Sequence, residues 1–367
     1  MLSARPLDGV RVVDLTSNVA APFASAVLAD LGADVVHVEG PRGDDCRRMA
    51  PVRGGSSAYF EVVNRGKDVE VLDIRTADGR AALDLLLAEA DVLVTNLRPG
   101  KLEGLRLDAA SLSAEHPRLI HASLSAYGPT GPERDKPGYD AVLQARTGIA
   151  AVTGTADGPP VRAGVSILDV GGGTWLALAI ITALYERERT GSGGAVATSL
   201  FETGASWVAY HVAAHQVTQE PSARHGSGHP AFAPYGIYPT AAGEICLGIG
   251  GDALFDRLCK AIDRPDLLAD ARFATNAARS ANATALRAEL ERTFARARAD
   301  EWAQRLGEAG LPVDAVQRPE DLLDDPQADR TGILVDLPGT GLRVPGLPIT
   351  FDGARPRPIG RAPHPAG

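Results

Sequence analysis

Residues 166–175 read SILDVGGGTW, which sets one carboxylate, Asp169, just ahead of three consecutive glycines, Gly171, Gly172 and Gly173. An aspartate so placed does one of two things. It starts a helix as an N-cap, or it stands open to a large reactant for which the glycines clear space. In the second case the glycine N–H groups are unobstructed donors for an oxyanion. A helix beginning there would also favour negative charge by about 0.3–1 kcal/mol. Other chemistry-bearing residues are less organised. Cys46, Cys246 and Cys259 lie far apart without CxxC or Cys/His spacing, so neither a disulfide framework nor a zinc site is expected. His211 and His215 in HVAAH share a helical face but lack a nearby carboxylate partner, and no metal centre is assigned to them.

The elements that must position Asp169 begin with VRVVDL (10–15), a buried strand, ASAVLADLG (24–32), a helix stopped by Gly32, and DVVHVEG (34–40), a second strand. NRGKDVEVLDI, the capped helix TADGRAALDLLLAEA, DVLVTNL (91–97) and LIHASLSAYG (119–128) continue the alternation. Repeated β-α order with fully apolar strands predicts a parallel sheet covered on both faces. TSNVAAPFAS follows the first strand where a dinucleotide fold would carry GxGxxG, which argues against a dehydrogenase. Residues 193–215 read as an apolar helix. QEPSARHGSGHPAFAPYG (219–236) reads as a break, IYPTAAGEICLGIG as two strands, and 252–262 and about 280–307 as helices. The expected organisation is a large domain over 1–215, a linker over 216–235, a small α+β domain over 236–311, and a return of 312–367 to the large domain.

With 367 residues, 44% apolar and 23% charged, the chain has the makings of more than one folded core. A formal net charge of −9 argues against a general nucleic-acid or anionic-membrane surface. The N-terminus shows no secretory signal and WLALAIITALY (175–185) is too short to span a bilayer, so a buried helix and a cytoplasmic setting are expected.

Taken together and in order, LDGVRVVDLT, LADLGADVVHVE, GDDCRR, NRGKDVEVLDI, ADVLVTNLRPGKLEGLRLD, PRLIHASLSAYGPTGP, GYDAVLQARTG and LDVGGGTWLALAIITALYERERTGSG resemble the type III CoA transferases, the CaiB/BaiF family. The resemblance implies an α/β fold: a Rossmann-like, parallel-sheet large domain that binds CoA, a smaller α+β domain, and a homodimer of interlocked rings. It makes Asp169 the nucleophile that forms an aspartyl-CoA intermediate. Asp140 in GYDAVLQ becomes the second carboxylate, set to orient or share a proton; the alternative for it is a helix N-cap. No cofactor or metal is implied, because CoA is itself substrate and product. The partners implied are an acyl-CoA and a carboxylic acid, with no nucleic acid and no membrane.

The resemblance also places CoA against Val19 and Ala20 after the first strand, against Asn96 and Leu97 in TNLRPG, and near the cations Arg42, Arg47, Arg48, Arg75 and Lys101. Gly104 stands where some members carry a basic residue. RHGSGHPAF (224–232), with Gly226, Gly228 and His229, is a candidate for the loop that closes over the intermediate, against a plain linker. Tyr235, Tyr238 and Phe232 are candidates for the acyl pocket or for packing. The related α-methylacyl-CoA racemases have histidine where Tyr139 stands. A tyrosine with a pKa near ~10 is a poor base for moving an α-proton at neutral pH, so transfer is favoured over epimerisation. A CoA-binding protein with a degenerate site is the non-enzymatic alternative.

Overall fold

The structure is a computed structural model that describes residues 2–53 and 55–364. The chain divides into two compact units, one of residues 1–149, 162–217 and 323–367, the other of 150–161 and 218–322.

The large unit is built on six parallel strands: β1 (Arg11–Leu15), β2 (Asp34–Glu39), β3 (Asp68–Val71), β4 (Val92–Thr95), β5 (Ile120–Ser125) and β6 (Gly194–Ser199). Their order is β3-β2-β1-β4-β5-β6, the doubly wound arrangement whose switch point falls between β1 and β4. Alternation along β1 sends Val12 to one face and Val13 to the other. Helix α1 (Ala20–Asp30) joins the Val12 core, and α2 (Ala77–Glu89) joins the Val13 core. α1 ends where Gly32 takes φ +105°, a left-handed turn that suits glycine. α2 starts where the Thr76 hydroxyl accepts from the Gly79 N–H at 3.1 Å.

Three further helices cluster on the α1 face: α3 (Asp140–Thr147), α4 (Ile167–Thr190) and α5 (Leu200–Trp207). α4 runs 24 residues with a mean hydropathy of 1.7, long and apolar enough to cross a membrane by length and composition. Its inner side packs on α1 and on the sheet through Leu168, Leu176 and Ile180, as expected of a core helix. Its outer side leaves Trp175, Leu178 and Tyr185 46%, 52% and 68% exposed. The stretch read as one helix over 193–215 is instead β6, then α5, then a helix over Ala209–Thr218. The break lies at Ser199, whose hydroxyl accepts from the Glu202 N–H and donates to the Glu202 carboxylate, an N-cap that begins α5.

The small unit has an antiparallel sheet of β7 (Tyr235–Pro239), β8 (Glu244–Gly248) and β9 (Val313–Ala315), in the order β9-β8-β7. Helices α6 (Asp252–Ala261), α7 (Ala283–Phe294) and α8 (Ala299–Glu308) pack on it around Tyr238, Phe255, Phe294 and Trp302. Residues 216–235 are therefore not a free linker, and 312–322 do not belong to the return. β9 stays in the small sheet because Cys246 and Asp314 lie paired across it. The return begins at 323 and carries a hairpin of β10 (Leu334–Leu337) and β11 (Leu342–Pro345) in the large unit.

Candidate active site

α4 begins at Ile167, so Asp169 is in its first turn rather than ahead of it. Ser166 occupies the N-cap without supplying a side-chain bond. That duty falls to Asp140, the buried first residue of α3. Its Oδ2 accepts from the N–H of Leu168 at 2.7 Å and of Asp169 at 3.3 Å. Asp140 is thus a helix cap, but for another helix, 28 residues away in sequence. Its Oδ1 accepts from Gln144 Nε2 at 2.5 Å, and Gln144 Oε1 accepts from the Ala163 N–H at 2.8 Å. Tyr139 is the N-cap of α3 and is exposed. The Asp169 side chain is half-buried, and among the described residues no hydrogen bond or ion pair engages its carboxylate. Burial, and then the charge of Asp140, push its pKa from 3.8 up to about 7. That rise corresponds to about 4 kcal/mol, which outweighs the ~0.3–1 kcal/mol a helix start offers an anion. The helix start is already neutralised by Asp140.

Gly171, Gly172 and Gly173 lie inside α4, where the N–H groups of an α-helix point to carbonyls four residues back. The expectation that Gly171 and Gly172 offer oxyanion donors is therefore corrected. Two of the three, Gly171 and Gly173, serve close packing. A Cβ on Gly173 would come within 2.4 Å of the Ala20 carbonyl oxygen, and one on Gly171 within 2.3 Å of the Trp207 ring. Gly172 has room, its nearest neighbours lying at 3.4 Å.

At the carboxyl ends of β1 to β4 a cavity of about 900 Å³ opens at the switch point. Arg42, Arg75, Asn96, Leu97 and Lys101 all line it, with Gly104 on its wall. Val19 and Ala20 lie at the start of α1, where no side chain caps the helix and where Ala20 faces Gly173. The loop after β1 therefore runs from the cavity, through Thr16 and Ser17, to the helix that carries Asp169. Asn96 fixes this loop with both amide atoms, accepting from the Ser17 N–H at 3.1 Å and donating to the Ser17 carbonyl at 2.6 Å. Not every expected cation faces the cavity freely. Arg75 is paired with Asp73 at 2.8 Å, and Arg48 pairs with Asp45. Arg47 turns inward to Glu39 and stacks over Phe60 at 3.9 Å, so it is a packing residue.

Sequence reading missed the support beneath the cavity. Asp14, opposite His37 in the β1–β2 register, accepts from Ser25 Oγ at 2.6 Å and Lys67 Nζ at 2.8 Å, all three fully buried or nearly so. Burial by itself would raise the Asp14 carboxyl, but Lys67 and His37 hold it well below the usual range. Asp44 extends the network by accepting from the N–H of Asn18, a residue at φ +69° in the same loop. Lys67 was visible only as one residue of a strand motif.

In the small unit, the 224–232 loop is structured. Arg224 donates to the carbonyls of Thr155 at 3.0 Å and Gly158 at 2.8 Å, and Gly226, at φ +59°, bonds to Gly154. Gly228 N–H closes a turn onto the His225 carbonyl. His229 stacks with Phe232 at 4.9 Å and tilts against Tyr235 at 5.3 Å, a partly exposed aromatic group. Tyr238 is instead core, 3% exposed and edge-on to Phe294. Among the described residues no group of His, Cys, Asp or Glu is placed to hold a metal.

The model of CoA-transferase family III matches residues 7–366. The acetyl-CoA:oxalate CoA-transferase of Acetobacter aceti is 37% identical over 350 residues, spanning 95% of this chain and 90% of its own. The succinate–glutarate CoA-transferase of Agrobacterium fabrum is 34% identical across 93% and 88% of the two chains. A crystal structure of a CaiB/BaiF family protein from Brucella suis superposes with a TM-score of 0.89 at 36% identity, covering 98% of this chain and 96% of that one. Family match, curated relatives and solved fold agree over nearly the whole length: the chain belongs to CoA-transferase family III and is an enzyme of that type.

Proposed function

We propose that the protein moves CoA from an acyl-CoA to a carboxylic acid through a covalent intermediate on Asp169. One observation carries this reading: a half-buried carboxylate without a partner of its own, held by a helix whose first amides are occupied by Asp140. An Asp169 oxygen attacks the thioester carbonyl, the carbon–sulfur bond breaks, and CoA leaves as its thiolate. The thiolate then attacks the Asp169 carbonyl, releasing the donor acid and leaving an aspartyl-CoA thioester. An acceptor carboxylate attacks that carbonyl and frees the thiolate again, which takes the acceptor acyl group and restores Asp169. Each bond formed matches one broken, and the thioester's activation is kept throughout.

The cavity at the strand ends suits the nucleotide end of CoA, with Arg42, Arg75 and Lys101 for phosphates and Asn96 and Leu97 on its wall. Val19 and Ala20 then lead the pantetheine arm toward Asp169. The relatives named for oxalate, succinate and glutarate support small dicarboxylic acids as substrates. Tyr139 supports transfer over epimerisation. Gly226, Gly228 and His229, with Phe232 and Tyr235, form the loop that we assign to acyl recognition. The exposed apolar side of α4, with Trp207 beside Trp175 and 40% exposed, supports burial against a second copy in a homodimer.

The test is intact mass after incubation with acetyl-CoA or succinyl-CoA. CoA attached through Asp169, and at least about a thousandfold loss of exchange in a folded Asp169→Ala variant, are expected. Full activity of that variant would overturn the mechanism.

A further inference from the structure

Gln144 is fully buried, and both its amide atoms are engaged, one by the first residue of its own helix and one by a backbone N–H outside it. It is bonded at one end to the carboxylate that caps the nucleophile's helix, and at the other to Ala163, just after the chain re-enters the large unit. Resting on the reading of Asp169 as nucleophile, we propose that Gln144 is a positioning residue: its amide holds Asp140 in register on the first turn of α4, so that Asp169 keeps its place and its charge environment.

Three donors converge on Asp140, namely Gln144 Nε2 and the N–H groups of Leu168 and Asp169. Asp169 receives none. Of two neighbouring carboxyl groups, the one with the donors carries the negative charge, and the other holds the proton longer. Gln144 contributes the only side-chain donor in this assignment, and its second bond stops the amide from rotating to present oxygen to Asp140. The elements packed against α4 bring little else to bear. On α3, Arg146 faces Glu133; on α5, Glu202 is taken by Ser199; on α1, Asp30 is paired with Arg65; on β5, His121 bonds the Leu107 carbonyl; and β6 has no titratable residue.

The experiment is a two-residue cycle on the full-length enzyme with Gln144→Met, close in size but unable to make either bond, Asp140→Asn, and the pair together. Thermal unfolding checks folding. For Gln144→Met, kcat is expected to fall about tenfold to hundredfold while KM for the acyl-CoA stays within about twofold. Without that donor, Asp140 is free to swing away from the first turn of α4 and presents less charge to Asp169. The acid limb of the rate profile therefore moves down by about half to one pH unit. In the Asp140→Asn background the same change should add almost nothing, since its effect passes through Asp140. An unmoved acid limb, or effects on kcat that multiply in the pair, would overturn the role of Gln144. Should Gln144→Met not fold, Gln144→Asn, one methylene short of bridging, takes its place in the cycle. Absence of an Asp169 adduct in the unaltered enzyme would instead bring down the parent reading.

Discussion

Asp169 and Asp140 have the same side chain and opposite tasks, and the difference is how many donors each is given. Asp140 is buried but accepts three hydrogen bonds, while Asp169 is half-buried and accepts none. As the proposed nucleophile, Asp169 must be ionised to attack, and burial with the charge of Asp140 raises its pKa to about 7. The rate of exchange should therefore rise with pH along a limb centred at about 7, read from kcat between pH 5 and 9. Asp140→Asn keeps an oxygen for the Leu168 N–H and removes the charge. The limb should move to lower pH by part of that rise only, because burial is the larger cause. An unchanged limb in Asp140→Asn would show that Asp140 exerts no field on the nucleophile. Asp169 stands out in the sequence because its glycines are conspicuous and the surrounding motifs come in family order. The partnership with Asp140 does not, since a bond between a side chain and an amide 28 residues away leaves no local pattern. Gln144 did leave one: Asp140 and Gln144 stand four apart, the spacing at which helical side chains meet.

At the scale of elements, the three glycines of α4 differ sharply in what they tolerate. Gly173→Ala sets a methyl against the Ala20 carbonyl oxygen, a backbone atom that can yield only if α1 and α4 separate. A loss of about 1–3 kcal/mol in chemical denaturation is expected, with reduced activity if Ala20 lies on the CoA path proposed above. Gly172→Ala meets nothing closer than 3.4 Å and should stabilise the helix by about 0.5–1 kcal/mol without loss of exchange. A destabilised Gly172→Ala would contradict the packing described. The main sheet was readable as far as β5, because short strand-like runs alternate there with helical ones in β-α order. β6 was not, because GAVATS has no large apolar residue and runs directly into an apolar helix. The sign that separates them is SLFE, in which Ser199 and Glu202 satisfy each other at the start of α5.

For the whole molecule, the outer side of α4 is the feature that water alone does not explain. Trp175, Leu178 and Tyr185 on α4, with Trp207 beside Trp175, are exposed apolar side chains on one unit. Light scattering should give the mass of two chains, and Trp175→Glu should shift the balance toward one; a wild-type chain that stays single at micromolar concentration would rule out the homodimer. The path of the chain has a different consequence. It passes from one unit to the other at 149/150, 161/162, 217/218 and 322/323, so neither unit is a single uninterrupted piece of sequence. No single break in the gene can release either one whole. Inheritance therefore has to keep, copy or discard the two together, and recombination has no seam along which to trade the small unit for another.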